Sequence, residues 1–254
     1  MSIVALNALQ DNYIWLIINE QRHHVCCIDP GDSAPVIDYL THHKLHLTQI
    51  LLTHHHPDHC GGVQGLVELF PDTLVYGPAD DRITPSPITV HDETMIAIDD
   101  YVFRVLSTPG HTRSHVCYQE PTQGWLFCGD TLFSAGCGRV FDGTLTQLYD
   151  SLQLLSCLPP DTRIFCAHEY TRNNLHFAKT IDPDNQTLQS YSSYLDAHPE
   201  QCSLPSTMAL EKQINPFLRL QTAALQAFAM QQQIDPNNHR LIFNKLRELK
   251  NHFQ

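Results

Sequence analysis

The chain has 254 residues, 15 basic against 27 acidic side chains for a formal charge of −12, and an apolar fraction of 42%. An acidic surface repels phosphate backbones and disfavours nucleic acid as a partner, and no run approaches the roughly 18 apolar residues of a membrane span. Nine cysteines are an odd number and form no C-x-x-C, which argues against a disulfide framework or a zinc ribbon and for reduced thiols in a cytoplasmic protein.

The first residues, MSIVALNALQDNY, carry neither a basic segment nor a long apolar run, so a non-exported chain is expected. IVALNAL, YIWLIIN and HHVCCID read as strands, ended by the DPGD turn at 29–32. Ser33 is expected to cap a helix running to about His43. QILLT at 49–53 is a short buried strand, and Val63, Leu66, Val67 and Phe70 form a helical stripe after it. TLVYG, MIAID, YVFRVLS, WLFCG and RIFCA are further strand candidates, with a helix over TLTQLYDSLQLLSCL before the last. Beyond about residue 170 the pattern turns helical: RNNLHFAKTI, QTLQSYSSYLDA, PFLRLQTAALQAFAMQQQ and PNNHRLIFNKLRELKNHF. The expectation is an α/β domain over 1–170 and a small all-helical domain over 171–254, with no repeat or low-complexity tract.

The chemistry concentrates at strand ends. QILLT delivers Thr53 and then HHHPDH. In extended chain His54 and His56 point the same way and can share one metal, while His55 points away. Pro57 keeps His56 extended and suits the opening of a helix. Asp58 and His59 then sit at the start of the helix carrying Val63 to Phe70, where they face a second metal. Gly61 and Gly62 allow close backbone packing there. His111 in PGHT, Asp130 in GDT and His168 in AHEY each follow a strand in the same way, at the carboxyl ends where open α/β sheets bind ligands. Imidazole with carboxylate suits zinc, iron or manganese. His23–His24 and His42–His43 read as solvated surface.

T-H-x-H-x-D-H, G-H-T, G-D-T-L-F and A-H-E-Y-T together resemble the metallo-β-lactamase superfamily, and within it glyoxalase II. The likeness extends to DNYIWLI, CGRVFDGT, HEYTRNNLHFA and NPFLR and so covers essentially the whole chain. It implies a four-layer αββα sandwich followed by a helical substrate-binding domain. It implies two divalent metals, zinc before iron or manganese, one on His54, His56 and His111 and one on Asp58, His59 and His168. Asp130 would bridge them, with a bridging hydroxide as nucleophile. Asp29 either orients a ligand loop or simply serves its turn. The implied reaction is hydrolysis of S-D-lactoylglutathione to D-lactate and glutathione, in methylglyoxal detoxification, by a cytoplasmic monomer.

An anionic thioester needs a local cationic clamp on so acidic a protein. Arg247 and Lys250 share a face of the last helix. There they either bind the substrate or complement the helix dipole, and their R-x-x-K spacing matches the family's terminal substrate motif. By the same resemblance Arg139, Phe141 and Tyr170 line the glutathione pocket, although Phe141 and Tyr170 also read as packing. Three positions depart from the family. Asn251 stands where an acidic residue is frequent and is expected to loosen local order. Arg139 and Phe141 stand where some members carry lysine and tyrosine. Cys60 reads as a small buried residue, or as a thiol that makes the site sensitive to oxidation. The competing readings are a mononuclear-iron glutathione persulfide dioxygenase of the same fold, a β-lactamase or lactonase, and a non-catalytic metal-binding protein.

Overall fold

A computed structural model describes residues 1–253, and the chain divides into two compact units: 1–108 with 114–129, and 109–113 with 130 onward. In the first unit β1 (Ser2–Ala8) pairs antiparallel with β2 (Asn12–Asn19), Ser2 opposite Ile18 and Ala8 opposite Asn12, and β2 pairs antiparallel with β3 (His24–Ile28). Helix α1 (Ala34–His43) then returns the chain to β4 (His46–Leu51), parallel to β3, as parallel neighbours require a crossover. The start of α1 differs from expectation. Ser33 is already helical in φ and ψ and its side chain makes no capping bond, because a capping hydroxyl needs an extended backbone to reach forward. Asp32 Oδ1 accepts from Ala34 N instead, at 3.0 Å.

From β4 the chain passes through α2 (Pro57–Cys60) and α3 (Val63–Leu69) to β5 (Leu74–Pro78), and β6 (Ile88–Val90) completes a sheet of order β1-β2-β3-β4-β5-β6. One helix was expected here, with Asp58 and His59 at its start. The structure breaks it at Gly61 and Gly62, where the backbone crosses the 30–32 turn. Gly62 N donates to Pro30 O at 2.8 Å, and a Cβ on Gly62 would lie 2.6 Å from that same oxygen.

The second sheet of this unit, β7 (Met95–Ile98), β8 (Tyr101–Ser107), β9 (Val116–Glu120) and β10 (Trp125–Gly129), is antiparallel. The two sheets stack. All eight positions of β2 are buried. Ile14, Leu16 and Ile18 join Val25, Cys27, Leu47 and Ile50 beneath Val36, Leu40, Val63 and Leu66 of the helices, while the alternate Tyr13, Trp15 and Ile17 are buried on the other face. At about 1.5–3 kcal/mol for each fully buried aliphatic side chain, this two-sided strand outweighs any surface contact. Tyr118 Oη on Leu52 O at 2.6 Å and Val116 N on Thr53 O at 3.0 Å tie sheet to sheet.

β9 escaped the sequence reading because Gln119 and Glu120 are buried within it. The Glu120 carboxylate is compensated by Thr122 Oγ1 and Gln123 N, both at 2.5 Å.

The second unit contains a two-residue hairpin, β11 (Leu132–Phe133) with β12 (Gly136–Cys137), then α4 (Leu145–Ser156), capped by Thr144. β13 (Arg163–Cys166) pairs with β14 (Ser206–Thr207). Between them lie α5 (Thr171–Ile181) and α6 (Gln186–Ala197), the latter capped by Asn185. α7 (Met208–Ile214), α8 (Ala223–Gln231) and α9 (His239–Asn251) follow.

The single helix expected over 216–233 is absent. Asn215 Oδ1 accepts from Phe217 N and winds Pro216–Leu218 as a 3₁₀ turn. Arg219 then leaves helical space, and α8 starts afresh after Thr222. Leu175, Ala178, Leu188, Leu195 and Ile214 form one core here, and Phe177, Phe217 and Phe243 pack as a second, aromatic one. Among the described residues no helix is long and apolar enough to cross a membrane.

Candidate metal centre

In the first unit Thr53 and His54 come after β4 and Leu52 and are fully buried. His54 Nε2 lies 2.9 Å from His56 Nδ1. His55 turns away, its Nδ1 3.5 Å from Asp80 Oδ2. The alternation expected of extended chain is therefore realised, and His56 stays extended before Pro57 opens α2. Asp58 Oδ2 lies 3.5 Å from His59 Nε2 and accepts from Asn12 Nδ2 at 3.1 Å. The 30–32 turn passes so close that a Cβ on Gly31 would sit 1.9 Å from Asp58 O, a contact no side chain tolerates.

Asp29 organises this cluster. Its backbone takes a left-handed φ of 52°, which aspartate tolerates better than most residues. Its Oδ1 accepts from Thr53 N at 2.8 Å, and its Oδ2 accepts from Thr53 Oγ1 at 2.7 Å and from His59 Nδ1 at 2.9 Å. Thr53 Oγ1, its proton given to Asp29, accepts from His54 Nδ1 at 3.0 Å. Both Nδ1 protons are thus fixed, which presents Nε2 of His54 and of His59 as ligand nitrogens. Of the two readings of Asp29, the geometry takes the orienting one.

His115, which sequence reasoning missed, is also buried. Its Nδ1 meets Thr108 Oγ1 at 3.0 Å, and its ring stacks on His54 at 5.0 Å and 28°. Its one sequence signal is its place four residues after His111, in a loop where no period links the two.

In the second unit Asp130 stands between two imidazoles: Oδ2 is 3.4 Å from His111 Nε2 and Oδ1 is 3.4 Å from His168 Nε2. His111 Nδ1 donates to Arg139 O at 2.7 Å and so offers Nε2. His168 stacks on Tyr170 at 4.7 Å and 3°. Phe141 stands edge-on to His111 at 5.1 Å and is 62% exposed, with Tyr170 37% exposed. Phe141 is therefore not core, while Tyr170 packs on His168 and Phe133 and keeps an exposed edge. The Arg139 side chain is exposed.

The two terminal cations part company. Lys250 is half-buried, with Nζ on Asn173 Oδ1 and near the rings of Phe177 and Phe253. Burial, and then the charge of Arg247, pull its pKa down to about 8. Arg247 is buried: Nη1 donates to Cys137 O at 2.7 Å, Nε donates to Asn251 Oδ1 at 3.1 Å, and the guanidinium lies over Phe217. Asn251 therefore orders this helix end, contrary to the loosening expected of it. Cys60 donates its thiol to His55 O at 3.3 Å, and burial raises its pKa. Its packing fits the reading of Cys60 as a small buried residue.

His54, His56, Asp58 and His59 in the first unit, and His111, Asp130 and His168 in the second, are imidazole and carboxylate donors of the kind that suits divalent metal. A family profile described as metallo-beta-lactamase superfamily matches residues 13–168, and one described as hydroxyacylglutathione hydrolase C-terminus matches 169–253. Over the full length of both chains, the sequence is 45% identical to the hydroxyacylglutathione hydrolase of Legionella pneumophila (strain Lens). The corresponding figure is 46% for that of Shewanella halifaxensis (strain HAW-EB4).

Among solved structures, the BLEG-1 B3 metallo-beta-lactamase superposes with a TM-score of 0.63 at 26% identity, over 86% of this chain and 99% of that one. TTHA1623, solved in a di-iron-bound form, gives 0.62 at 26%, over 86% and 100%. ETHE1 from Myxococcus xanthus gives 0.68 at 24% over the whole of both chains and shares the fold. The protein is an αββα metallo-β-lactamase-fold hydrolase with an added helical region. Within that superfamily the chain belongs to the hydroxyacylglutathione hydrolase family.

Proposed function

We propose that the protein hydrolyses the thioester of S-D-lactoylglutathione to D-lactate and glutathione. The four donors of the first unit and the three of the second would together hold two divalent ions, with zinc the first expectation. His54, His56 and His111 would serve one ion, Asp58, His59 and His168 the other, and Asp130 would serve both. Such ions lower the pKa of bound water to roughly 7 and polarise a carbonyl. The chain's own contribution is orientation. Asp29 and Thr53 fix His54 and His59, Arg139 O fixes His111, and the exposed rings of Phe141 and Tyr170 offer flanks for the substrate. Lys250 supplies a cation for a glutathione carboxylate, and Arg139 a second. A thiolate leaving group is weakly basic and leaves without a dedicated acid. The helical domain over 171–254 is the substrate-binding part of this reading.

The observation that carries the proposal is the conjunction of the histidine and aspartate donors with a C-terminal region that matches the hydroxyacylglutathione hydrolase C-terminus over 169–253. Stripping the purified protein with a chelator should abolish hydrolysis of S-D-lactoylglutathione, and divalent metal should restore it. Protein that stays inactive on this thioester when reloaded with zinc, iron and manganese in turn would refute the assignment.

A further inference from the structure

Within the first unit, His54 and His59 are fully buried, and Thr53 and Asp29 hold their rings from behind. Asp58 is less enclosed: its side chain is 37% exposed. A carboxylate on a four-residue helix, open to solvent on one side, has two rotatable bonds that packing does not fix. Its direction has to be set by hydrogen bonds.

Those bonds come from 46 residues earlier in the chain. Asn12 opens β2, opposite Ala8 of β1, and is buried. Its Nδ2 donates to Asp58 Oδ2 at 3.1 Å and to Asp58 O at 3.3 Å. Both partners are acceptors, so only the amide nitrogen, with its two protons, can face them. One amide thus grips the side chain and the main chain of the same residue, which locks the Asp58 carboxylate against its own backbone. Oδ2 is also the oxygen 3.5 Å from His59 Nε2, the nitrogen left to ligate when Asp29 takes Nδ1. The grip is neutral: a lysine or arginine there would offset the carboxylate charge, whereas an amide leaves it whole for a divalent ion. The mount is rigid, because β2 is buried at all eight positions and paired on both sides.

We infer that Asn12 is a positioning residue that sets the Asp58 carboxylate as a metal ligand. This rests on the metallohydrolase reading above. The β1–β2 hairpin, which supplies no ligand, then serves the centre by aiming one.

The test compares the zinc-loaded parent with Asn12→Ala, Asn12→Asp, Asp58→Ala and the double variant Asn12→Ala with Asp58→Ala. It measures the rate at which a chelator removes zinc, and kcat and KM on S-D-lactoylglutathione. Asn12→Ala should release one of its two ions about tenfold faster or more, the usual effect of losing such a partner, and the other at the parent's rate. Its kcat should fall by about tenfold or more with KM within about twofold. Asn12→Asp keeps the size of the side chain but turns a second carboxylate on Asp58, and should release the same ion at least as fast. In the Asp58→Ala background, Asn12→Ala should change zinc release by less than about twofold, since what it holds is gone. An asparagine that merely supported the fold would cost the same in both backgrounds. Parent-like release from Asn12→Ala, equal acceleration of both ions, or an undiminished effect in the Asp58→Ala background would each overturn the inference. If Asn12→Ala does not fold, parent-like release from Asn12→Asp overturns it. A parent that binds zinc but does not hydrolyse the thioester refutes the function, while the zinc-release comparison still decides the role of Asn12.

Discussion

A cationic side chain that is half-buried binds anions only over the pH range where it keeps its proton. Lys250 is held at a pKa of about 8 by burial and by Arg247, below the ordinary lysine value. Its charge is present below about pH 8 and disappears as pH rises through it. KM for the glutathione thioester should therefore be flat to about pH 7 and climb between about pH 8 and 9.5. Lys250→Ala should start about tenfold higher, equivalent to about 1.4 kcal/mol, and show no such climb. A parent KM that stays flat to pH 9.5 would contradict this role. At this scale the seven candidate metal ligands were legible because Asp130 follows β10 at once and His54, His111 and His168 come within a few residues of the ends of β4, β8 and β13, while Pro57 marks the helix start that carries Asp58 and His59. Asp29 was only half legible: its turn was visible, but nothing local says that Thr53 and His59, 24 and 30 residues on, would close on its carboxylate. His115 was not legible, since a histidine after a serine in a turn carries no period to place it inside.

At the scale of the element, α1, α4, α5, α6 and α9 read correctly from their apolar stripes, and α4, α6 and α9 also carry a side-chain cap. α7 was missed because Glu211 occupies its buried face. That carboxylate is fully buried, and its Oε2 accepts from Ala135 N and Asn215 Nδ2, while Oε1 accepts from Ser134 Oγ and Ser206 Oγ. Burial raises its pKa against the pull of those four donors. It anchors the β11–β12 hairpin to α7, an arrangement that a pattern of apolar residues cannot announce. Glu211→Ala leaves the donors unsatisfied around a cavity and should lower unfolding free energy by about 3 kcal/mol or more, read as a shift in denaturant midpoint. A midpoint unchanged from the parent would contradict the anchor. The helix from Asp58 to Phe70 and the one over 216–233 were drawn too long for a related reason: their breaks come from the 30–32 turn and from the Asn215 side chain, contacts that a local period does not see.

For the whole molecule, a net charge of −12 opposes capture of an anionic substrate at long range, so recognition depends on a few placed cations. The metal content is the quantity on which the whole account depends. The competing dioxygenase reading shares most of the ligands but uses one iron and consumes oxygen. The most direct measurement is therefore metal per chain, taken on the same sample that is assayed. The account predicts about two divalent ions per chain, with hydrolysis of S-D-lactoylglutathione and no uptake of oxygen. About one iron per chain, with oxygen consumed on a glutathione persulfide and the thioester left intact, would contradict it.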